Sequence, residues 1–226
     1  MAPHPTRLVP TRRRALAWGA AVVALPGIWP AAARAGAQRE EDLADSVRTA
    51  LSAAVAAQAP PVPVFGSDAE RRRFDAWLAA MSQRLARRLP EALVREDLLK
   101  TVWYESHRAA LQVSLVLGLI EVESGFRKFA ISSASASARG YMQVMPFWTH
   151  AIGDGDDGKL FHMQTNIRFG CVILRHYLAL ERGDLFLALG RYNGSRGQAV
   201  YPDAVLAAQK RWLFTLPDAG DGWAAL

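Results

Sequence analysis

Apolar residues recur three or four positions apart along most of this chain, the spacing that places them on one face of an α-helix. One such stripe lies within residues 38–59, and Pro60 to Pro63 separate it from a second. Ser67 and Glu70 have the spacing of a capping box and predict the start of the second helix, which Pro90 ends. Further helices are predicted over 93–102, 109–124, 167–180 and 185–191. Because no segment alternates apolar and polar residues, we expect an all-α fold.

The first 37 residues have the pattern of an export signal. Arg12 to Arg14 precede the apolar run Ala15 to Leu25, and small residues end in Ala35-Gly36-Ala37, just before Gln38. The arginines also resemble those of a twin-arginine signal. We therefore expect cleavage after residue 37, a periplasmic protein, and no stable membrane span once the signal is removed. An uncleaved anchor or a basic tail are the alternatives.

The net charge of +6 does not predict nucleic-acid binding. Five of the 27 Lys and Arg residues lie in the first 37 positions, which contain no Asp or Glu. The rest of the chain is therefore nearly neutral, and it has no electrostatic reason to bind a polyanion.

The sequence predicts no metal or cofactor. The histidines lack the paired spacing of a zinc site, and the acidic stretch 154–158 departs from the calcium-loop pattern at its fifth and twelfth positions. The single cysteine, Cys171, excludes an intramolecular disulfide. Its apolar neighbours predict a buried, structural thiol.

An almost wholly apolar predicted helix ends at two carboxylates, Glu121 and Glu123, followed by Gly125 as a natural helix-ending residue. The negative end of the helix dipole and the apolar neighbours both favour the neutral form of Glu123. Its pKa should therefore be raised, as a general acid requires. Glu121 points about 200° away around the helix, so the two cannot form a catalytic pair. On position alone, a Glu at a helix end is more often structural.

Several short motifs follow one another in the second half of the chain: Glu123-Ser124-Gly125-Phe126, Ala130-Ile131-Ser132-Ser133, the run Ala138-Arg139-Gly140-Tyr141-Met142-Gln143-Val144-Met145-Pro146, Asn166-Ile167 with Gly170 and Tyr177-Leu178, and Tyr192-Asn193-Gly194. Together they resemble the signature of family 1 lytic transglycosylases. Their order and approximate spacing are similar to those of the family across residues 101–214.

The resemblance implies a goose-type, lysozyme-like helical domain over 101–226. The apolar stripes before it predict a helical segment over 38–100 that serves either as packing around this domain or as a docking arm. The resemblance also implies that a monomer cleaves the β-1,4 bond between N-acetylmuramic acid and N-acetylglucosamine in peptidoglycan. Glu123 would protonate the leaving oxygen and then act as base on the muramoyl C6 hydroxyl, giving a 1,6-anhydro end. The substrate supplies the nucleophile, so the second carboxylate of ordinary glycosidases is not needed.

The same resemblance assigns further site residues. Tyr192 would orient the catalytic carboxyl through its hydroxyl, and Gln143 would hydrogen-bond sugar in the cleft. The remaining predicted cleft residues are Met142 as an apolar wall, Ser132, Tyr141 as a stacking face, and Asn193 as a turn residue.

One loop departs from the family pattern. Residues 132–140 are two longer than expected, with Ser137 where a Gly is usual. Losing that Gly matters if the position needs a positive φ. Two alternatives therefore stay open: a hydrolytic muramidase on the same fold, and a catalytically weak peptidoglycan-binding or secretion-assembly component.

Overall fold

The computed structural model describes residues 1, 38–56, 62–132 and 137–215, so the predicted export signal after Met1 lies outside the described residues. Nine helical elements follow one another in this part of the chain: α1 Asp45–Ala56, α2 Asp68–Leu85, α3 Ala92–Arg108, α4 Val113–Ser124, α5 Phe147–Ile152, a 3₁₀ helix Asp157–Phe161, α6 Met163–Leu180, α7 Leu185–Asn193 and α8 Val200–Arg211. Extended pairing in the described ranges is limited to two isolated bridges, Ile131 with Arg139 and Arg139 with Val144. The predicted all-α fold is confirmed.

The N-terminus of α2 shows the predicted cap. Ser67 Oγ accepts a hydrogen bond from the Glu70 backbone N–H at 3.2 Å. The Glu70 carboxylate accepts from the Gly66 N–H at 2.7 Å; a standard capping box would use the Ser67 N–H instead. Both bonds satisfy N–H groups at the start of the helix.

Several predicted helix boundaries differ from the structure. Helix α1 begins at Asp45, well after residue 38, and α3 continues to Arg108 where the prediction stopped at 102. The chain then turns at Ala110, with φ +51°, before α4 begins at Val113. Helix α8 was not predicted at all.

Helix α4 lies at the centre of the fold. Ten of its twelve residues are buried, which explains why its sequence is apolar on every side. It packs most extensively against α8. The two backbones approach closely at Gly118, where an added Cβ would lie 2.6 Å from the Gln209 nitrogen. This packing fixes the C-terminal end of α4 relative to α8.

The N-terminal residues pack onto the same body. Helix α1 contacts α5 and α6, and all described residues from Gln38 onward belong to one compact unit. Gln38 Oε1 accepts a weak hydrogen bond from the Met145 N–H at 3.4 Å, and Glu41 pairs with Arg191 at 2.8 Å. None of the helices in the described ranges is long and apolar enough to cross a membrane.

Cys171 lies on α6 and is fully buried, as predicted. Burial, with the neighbouring Glu105 carboxylate, raises the pKa of the Cys171 thiol well above its ordinary value. A neutral thiol at this position is a poor nucleophile.

Candidate active site

The chain turns sharply after α4. Gly125 ends the helix in the left-handed region with φ +58°, and its N–H donates to Glu121 O at 3.1 Å. Phe126 follows with φ +67°, an unusual conformation for an aromatic residue. Its buried ring packs edge-on against Trp212 with centroids 5.2 Å apart, which holds the turn in place. Glu123 therefore lies in the last turn of α4, just before the loop that begins at Gly125.

Glu123 is 5% exposed, and its side chain makes one hydrogen bond to the described residues. Its Oε1 accepts from the Tyr201 hydroxyl at 2.5 Å. Its Oε2 is buried, and no hydrogen-bond partner for it exists among the described residues. Burial raises the pKa of Glu123 to about 8, and the Tyr201 hydrogen bond offsets only part of that rise. At neutral pH the carboxyl group is therefore mainly protonated, and the predicted direction of the pKa shift is confirmed.

Glu121 has the opposite environment on the other side of α4. Its carboxylate accepts hydrogen bonds from Arg88 at 2.7 Å, Arg211 at 3.0 Å and Trp212 Nε1 at 2.7 Å. Partial burial acts to raise the pKa of Glu121, but the hydrogen bonds from Arg211, Arg88 and Trp212 outweigh it and lower the pKa. Glu121 is thus an ionised carboxylate held in ion pairs with Arg88 and Arg211, and it forms no pair with Glu123, as predicted.

Tyr192 does not make the predicted hydrogen bond to Glu123. Its buried hydroxyl donates to Met142 O at 2.8 Å, and the carboxyl is oriented by Tyr201 instead. Burial and the Glu123 charge together raise the pKa of the Tyr192 hydroxyl well above its ordinary value. Sequence reasoning missed Tyr201, which lies in the first turn of α8.

A signal for Tyr201 was present in the sequence. The buried residues at positions 201, 205, 208 and 212 have the spacing of one helical face. That face would have placed a tyrosine on a helix that packs against the core.

Gln143 lies in a tight turn and holds the loop together. It has φ +47° and is 1% exposed, and its Nε2 donates to Ala130 O at 3.0 Å and Gly140 O at 2.9 Å. Both amide hydrogens are engaged by backbone carbonyls, so Nε2 has no hydrogen left to donate in the predicted hydrogen bond between Gln143 and sugar. The Ala130 and Gly140 carbonyls need hydrogen-bond donors in this turn. A Gln143 side chain at the surface would not supply them.

Met142 and Tyr141 lie in the core, each no more than 1% exposed. Met142 packs against Gly170, where an added Cβ would lie 2.4 Å from its sulfur, and its N–H donates to Asn166 Oδ1 at 2.8 Å. Neither side chain offers the predicted apolar wall or stacking face to the cleft. Both side chains are instead part of the buried core.

Asn166 ties this loop to α6. Its buried Nδ2 donates to Arg139 O and Leu160 O, both at 2.8 Å, while Oδ1 accepts from Met142. Gly140 sits against it, because a Cβ there would lie 2.4 Å from Asn166 Nδ2. The Asn166 amide occupies the space that a side chain at position 140 would need, so packing accounts for both residues of the motif.

Ser132, Ser137 and Asn193 occupy turns. Ser132 Oγ accepts from the Ala138 N–H at 3.0 Å, which closes the loop whose residues 133–136 lie outside the described part. Ser137 has φ +51°, so the position where Gly is usual does require the left-handed region. Asn193 Nδ2 donates to Ser195 Oγ at 3.1 Å, just before Gly194 with φ +73°, as expected of a turn residue.

A cavity of about 540 Å³ lies elsewhere, between α1, α3 and α6. Leu51, Ala109 and Val172 contribute to its largely apolar lining, and none of the predicted site residues does. In the described ranges, no group of three or more His, Cys, Asp or Glu side chains could hold a metal ion.

One of three comparisons with known proteins found a match. Residues 101–206 match the family model described as the Transglycosylase SLT domain, a range that contains Glu123, Tyr192 and Tyr201. Neither the search of curated proteins nor that of solved structures found a match.

Proposed function

We propose that this chain is a lytic transglycosylase that cleaves peptidoglycan glycan strands with Glu123 as acid and then base, because residues 101–206 match the Transglycosylase SLT domain model and the described part of the chain is helical. The observation that carries the proposal is the state of Glu123. It is buried and mainly neutral at pH 7, and its Oε2 has no hydrogen-bond partner among the described residues. A protonated carboxyl with an unused oxygen is the group that general acid catalysis requires.

In the first step the Glu123 carboxyl gives its proton to the bridging oxygen between N-acetylmuramic acid and N-acetylglucosamine. The bond from that oxygen to the muramoyl C1 breaks, and positive charge develops at C1. The carboxylate so formed lies in a poorly solvated place, where the Tyr201 hydrogen bond to Oε1 stabilises it.

In the second step the Glu123 carboxylate removes the proton of the muramoyl C6 hydroxyl. The C6 oxygen bonds to C1, which gives the 1,6-anhydro end and restores the neutral acid. Because nucleophile and electrophile belong to one sugar, the reaction depends on orientation more than on a second catalytic group. Glu121 cannot be the second carboxylate of a conventional glycosidase, since Arg88 and Arg211 hold it on another side of α4.

The decisive experiment digests purified sacculi with wild type and with Glu123→Gln, and analyses the released fragments by mass spectrometry. We expect anhydro-ended fragments from wild type and a loss of at least about a thousandfold in the variant, because the acid is removed. Glu40→Gln, a change at an exposed carboxylate, is the matched control and should behave as wild type.

Two outcomes would contradict the proposal. Reducing ends in place of anhydro ends would favour the hydrolytic muramidase. Equal fragment release by wild type and Glu123→Gln would exclude catalysis by this carboxyl and favour the peptidoglycan-binding or secretion-assembly alternative.

We further propose that the protein is exported and acts in the periplasm, where peptidoglycan is accessible. The support is the signal-like pattern of the first 37 residues. Mass analysis of the protein recovered from the periplasm of a Gram-negative host should give Gln38 as the first residue. Retention of the full-length chain in the cytoplasm would contradict export.

A further inference from the structure

The residue that directly follows the predicted cleavage site is buried in the folded protein. Gln38 comes just after Ala35-Gly36-Ala37, and it is only 4% exposed. Its side-chain Oε1 accepts a hydrogen bond from the Met145 N–H at 3.4 Å. The first residues of a domain are ordinarily poorly ordered unless contacts hold them. Gln38 is held by such a contact, so the predicted mature N-terminus is part of the folded structure.

Gln38 contacts the loop that carries Gln143. Met145 lies one residue beyond Val144, and the backbone groups of Val144 pair with those of Arg139 at 3.0 Å in both directions. Gln38 Oε1 satisfies the buried Met145 N–H from a position 107 residues earlier in the chain. Loss of this acceptor would therefore act on the loop as well as on the N-terminus.

The surroundings of Gln38 suit its side-chain carbonyl better than its amide nitrogen. Nε2 is buried, and no hydrogen-bond partner for it exists among the described residues. An interaction with the Gln38 side chain acts to lower the pKa of the Tyr192 hydroxyl, but the two groups do not reach the geometry of a full hydrogen bond. A buried donor without an acceptor destabilises the folded state, because it has lost its hydrogen bonds to water.

Cleavage after Ala37 would give Gln38 a free α-amino group, and a glutamine with a free α-amino group can close a five-membered ring. The α-amino nitrogen bonds to the side-chain Cδ, the Cδ–Nε2 bond breaks, and Nε2 leaves as ammonia with one proton from the α-amino group. The product is a pyroglutamyl lactam that keeps the Cδ carbonyl. An α-amino group has a pKa of about 8, so a fraction of it is unprotonated and nucleophilic at neutral pH.

We propose that Gln38 of the exported protein is converted to pyroglutamate, and that this lactam is the form of the N-terminus that fits the fold. The ring keeps a carbonyl for the Met145 N–H and eliminates the unpaired Nε2. It also replaces a charged α-amino group with a neutral N–H, which is accommodated more easily next to a buried side chain. This inference rests on the proposed export and cleavage, and it adds a covalent modification that the signal pattern alone does not contain.

The test follows the mass and the thermal stability of the protein after its N-terminus is released. A full-length chain with a site-specific protease site directly ahead of Gln38 gives an uncyclised sample at the moment of cleavage. During incubation at neutral pH we expect the mass to fall by about 17 Da through loss of ammonia. We expect the Tm to rise by about 2–4 °C as the unpaired donor and the charge are removed. Gln38→Met has a similar length and cannot form the lactam, so this matched control should show neither change.

Three results would overturn the inference. A released Gln38 that keeps its full mass after prolonged incubation would show that the lactam does not form. A mass loss without a rise in Tm would show that the fold does not favour the lactam. Protein recovered from the periplasm should begin with pyroglutamate in mass spectrometry of its N-terminal peptide, and a free Gln38 there would be the third.

Failure of the earlier proposals gives different results. A periplasmic N-terminus other than residue 38 would contradict the proposed cleavage, and the engineered release would still decide whether the fold favours the lactam. Loss of activity on sacculi is measured separately and would contradict the proposed function without any change in the mass or the Tm.

Discussion

At the scale of single residues, the buried carboxyl of Glu123 should set the pH range of activity. Burial raises its pKa to about 8, so the acid form dominates at neutral pH and is lost as the pH rises through that value. We expect kcat/KM to be nearly flat from about pH 6 to 7 and to fall about tenfold per pH unit well above pH 8. A pH–rate profile on soluble strands measures this. Activity that disappears already near pH 5 would show that Glu123 has an ordinary pKa.

The two buried tyrosines near Glu123 should have separable roles. Tyr201→Phe removes the only hydrogen bond that the described residues make to the carboxyl, so the pKa of Glu123 should rise further and the alkaline limb of the profile should move to higher pH. Activity at pH 7 should fall about tenfold because the carboxyl loses its orientation.

Tyr192→Phe is the matched comparison. It leaves the buried Met142 carbonyl without its donor, which should cost about 1–3 kcal/mol of stability. The alkaline limb should stay in place, as measured by the same profiles together with urea denaturation. A shift of the limb in Tyr192→Phe and none in Tyr201→Phe would reverse the roles assigned here.

The direction of the Glu123 pKa shift was predictable because it depends on local features of one helix end, whereas the choice of Glu123 as the acid came from the family resemblance and stays a prediction. The sequence was not sufficient to pair the carboxyl with Tyr201, since that contact depends on how α8 packs against α4. The placement of Gln143 also escaped prediction. Its amide is used by the Ala130 and Gly140 carbonyls, and their positions exist only once the loop is folded.

At the scale of elements, the contact between α4 and α8 connects stability with the site. Gly118→Ala would place a Cβ 2.6 Å from the Gln209 nitrogen and 3.1 Å from the Val205 oxygen, both backbone atoms that cannot move alone. We expect a loss of about 1–3 kcal/mol in urea denaturation, as for other overpacked helix contacts. Activity should fall as well, because α8 carries Tyr201. The exposed Gly66→Ala, with its nearest contact at 3.4 Å, should change stability by less than about 0.5 kcal/mol.

Helices whose apolar residues fall on a single face were predicted. The helix ends and the helices that were not predicted have physical reasons. Helix α3 extends beyond its predicted end because Glu105 is buried in ion pairs with Arg108 and Arg168, which interrupts the apolar pattern without interrupting the helix. Helix α8 buries small or unusual residues, including Pro202 in its first turn and Ala208, which give a weak periodic signal. The 3₁₀ helix and α5 are too short to show any period.

At the scale of the whole molecule, the buried acid should make stability depend on pH. The pKa of Glu123 is about 8 in the folded chain against an ordinary value of 4.5, so the folded state retains a proton that the unfolded state releases. Its contribution is complete below about pH 4.5 and is lost as the pH rises through 8. Relative to Glu123→Gln, wild type should therefore lose up to about 4 kcal/mol between pH 5 and pH 8.5. Urea denaturation of both proteins at the two pH values tests this, and a constant difference would contradict it.

The all-α architecture could be predicted from the apolar pattern of the sequence. The packing of the helices against one another could not. The stripe of α1 predicted a helix with one buried face, and only the structure shows that α5 and α6 receive it. The Glu41–Arg191 ion pair joins positions far apart in sequence, and the sequence around each residue gives no indication of the pairing. The apolar periodicity indicates which face of a helix is buried, but it does not indicate which other helix packs against that face.

The burial of Cys171 has a practical consequence. The chain has no other cysteine, and this thiol is inaccessible and neutral, so alkylating dyes should leave it unmodified at neutral pH. A cysteine introduced at an exposed position such as Ile131 would then be the single reactive handle in an otherwise native sequence. A fluorophore attached there would report changes at that exposed surface directly and in real time.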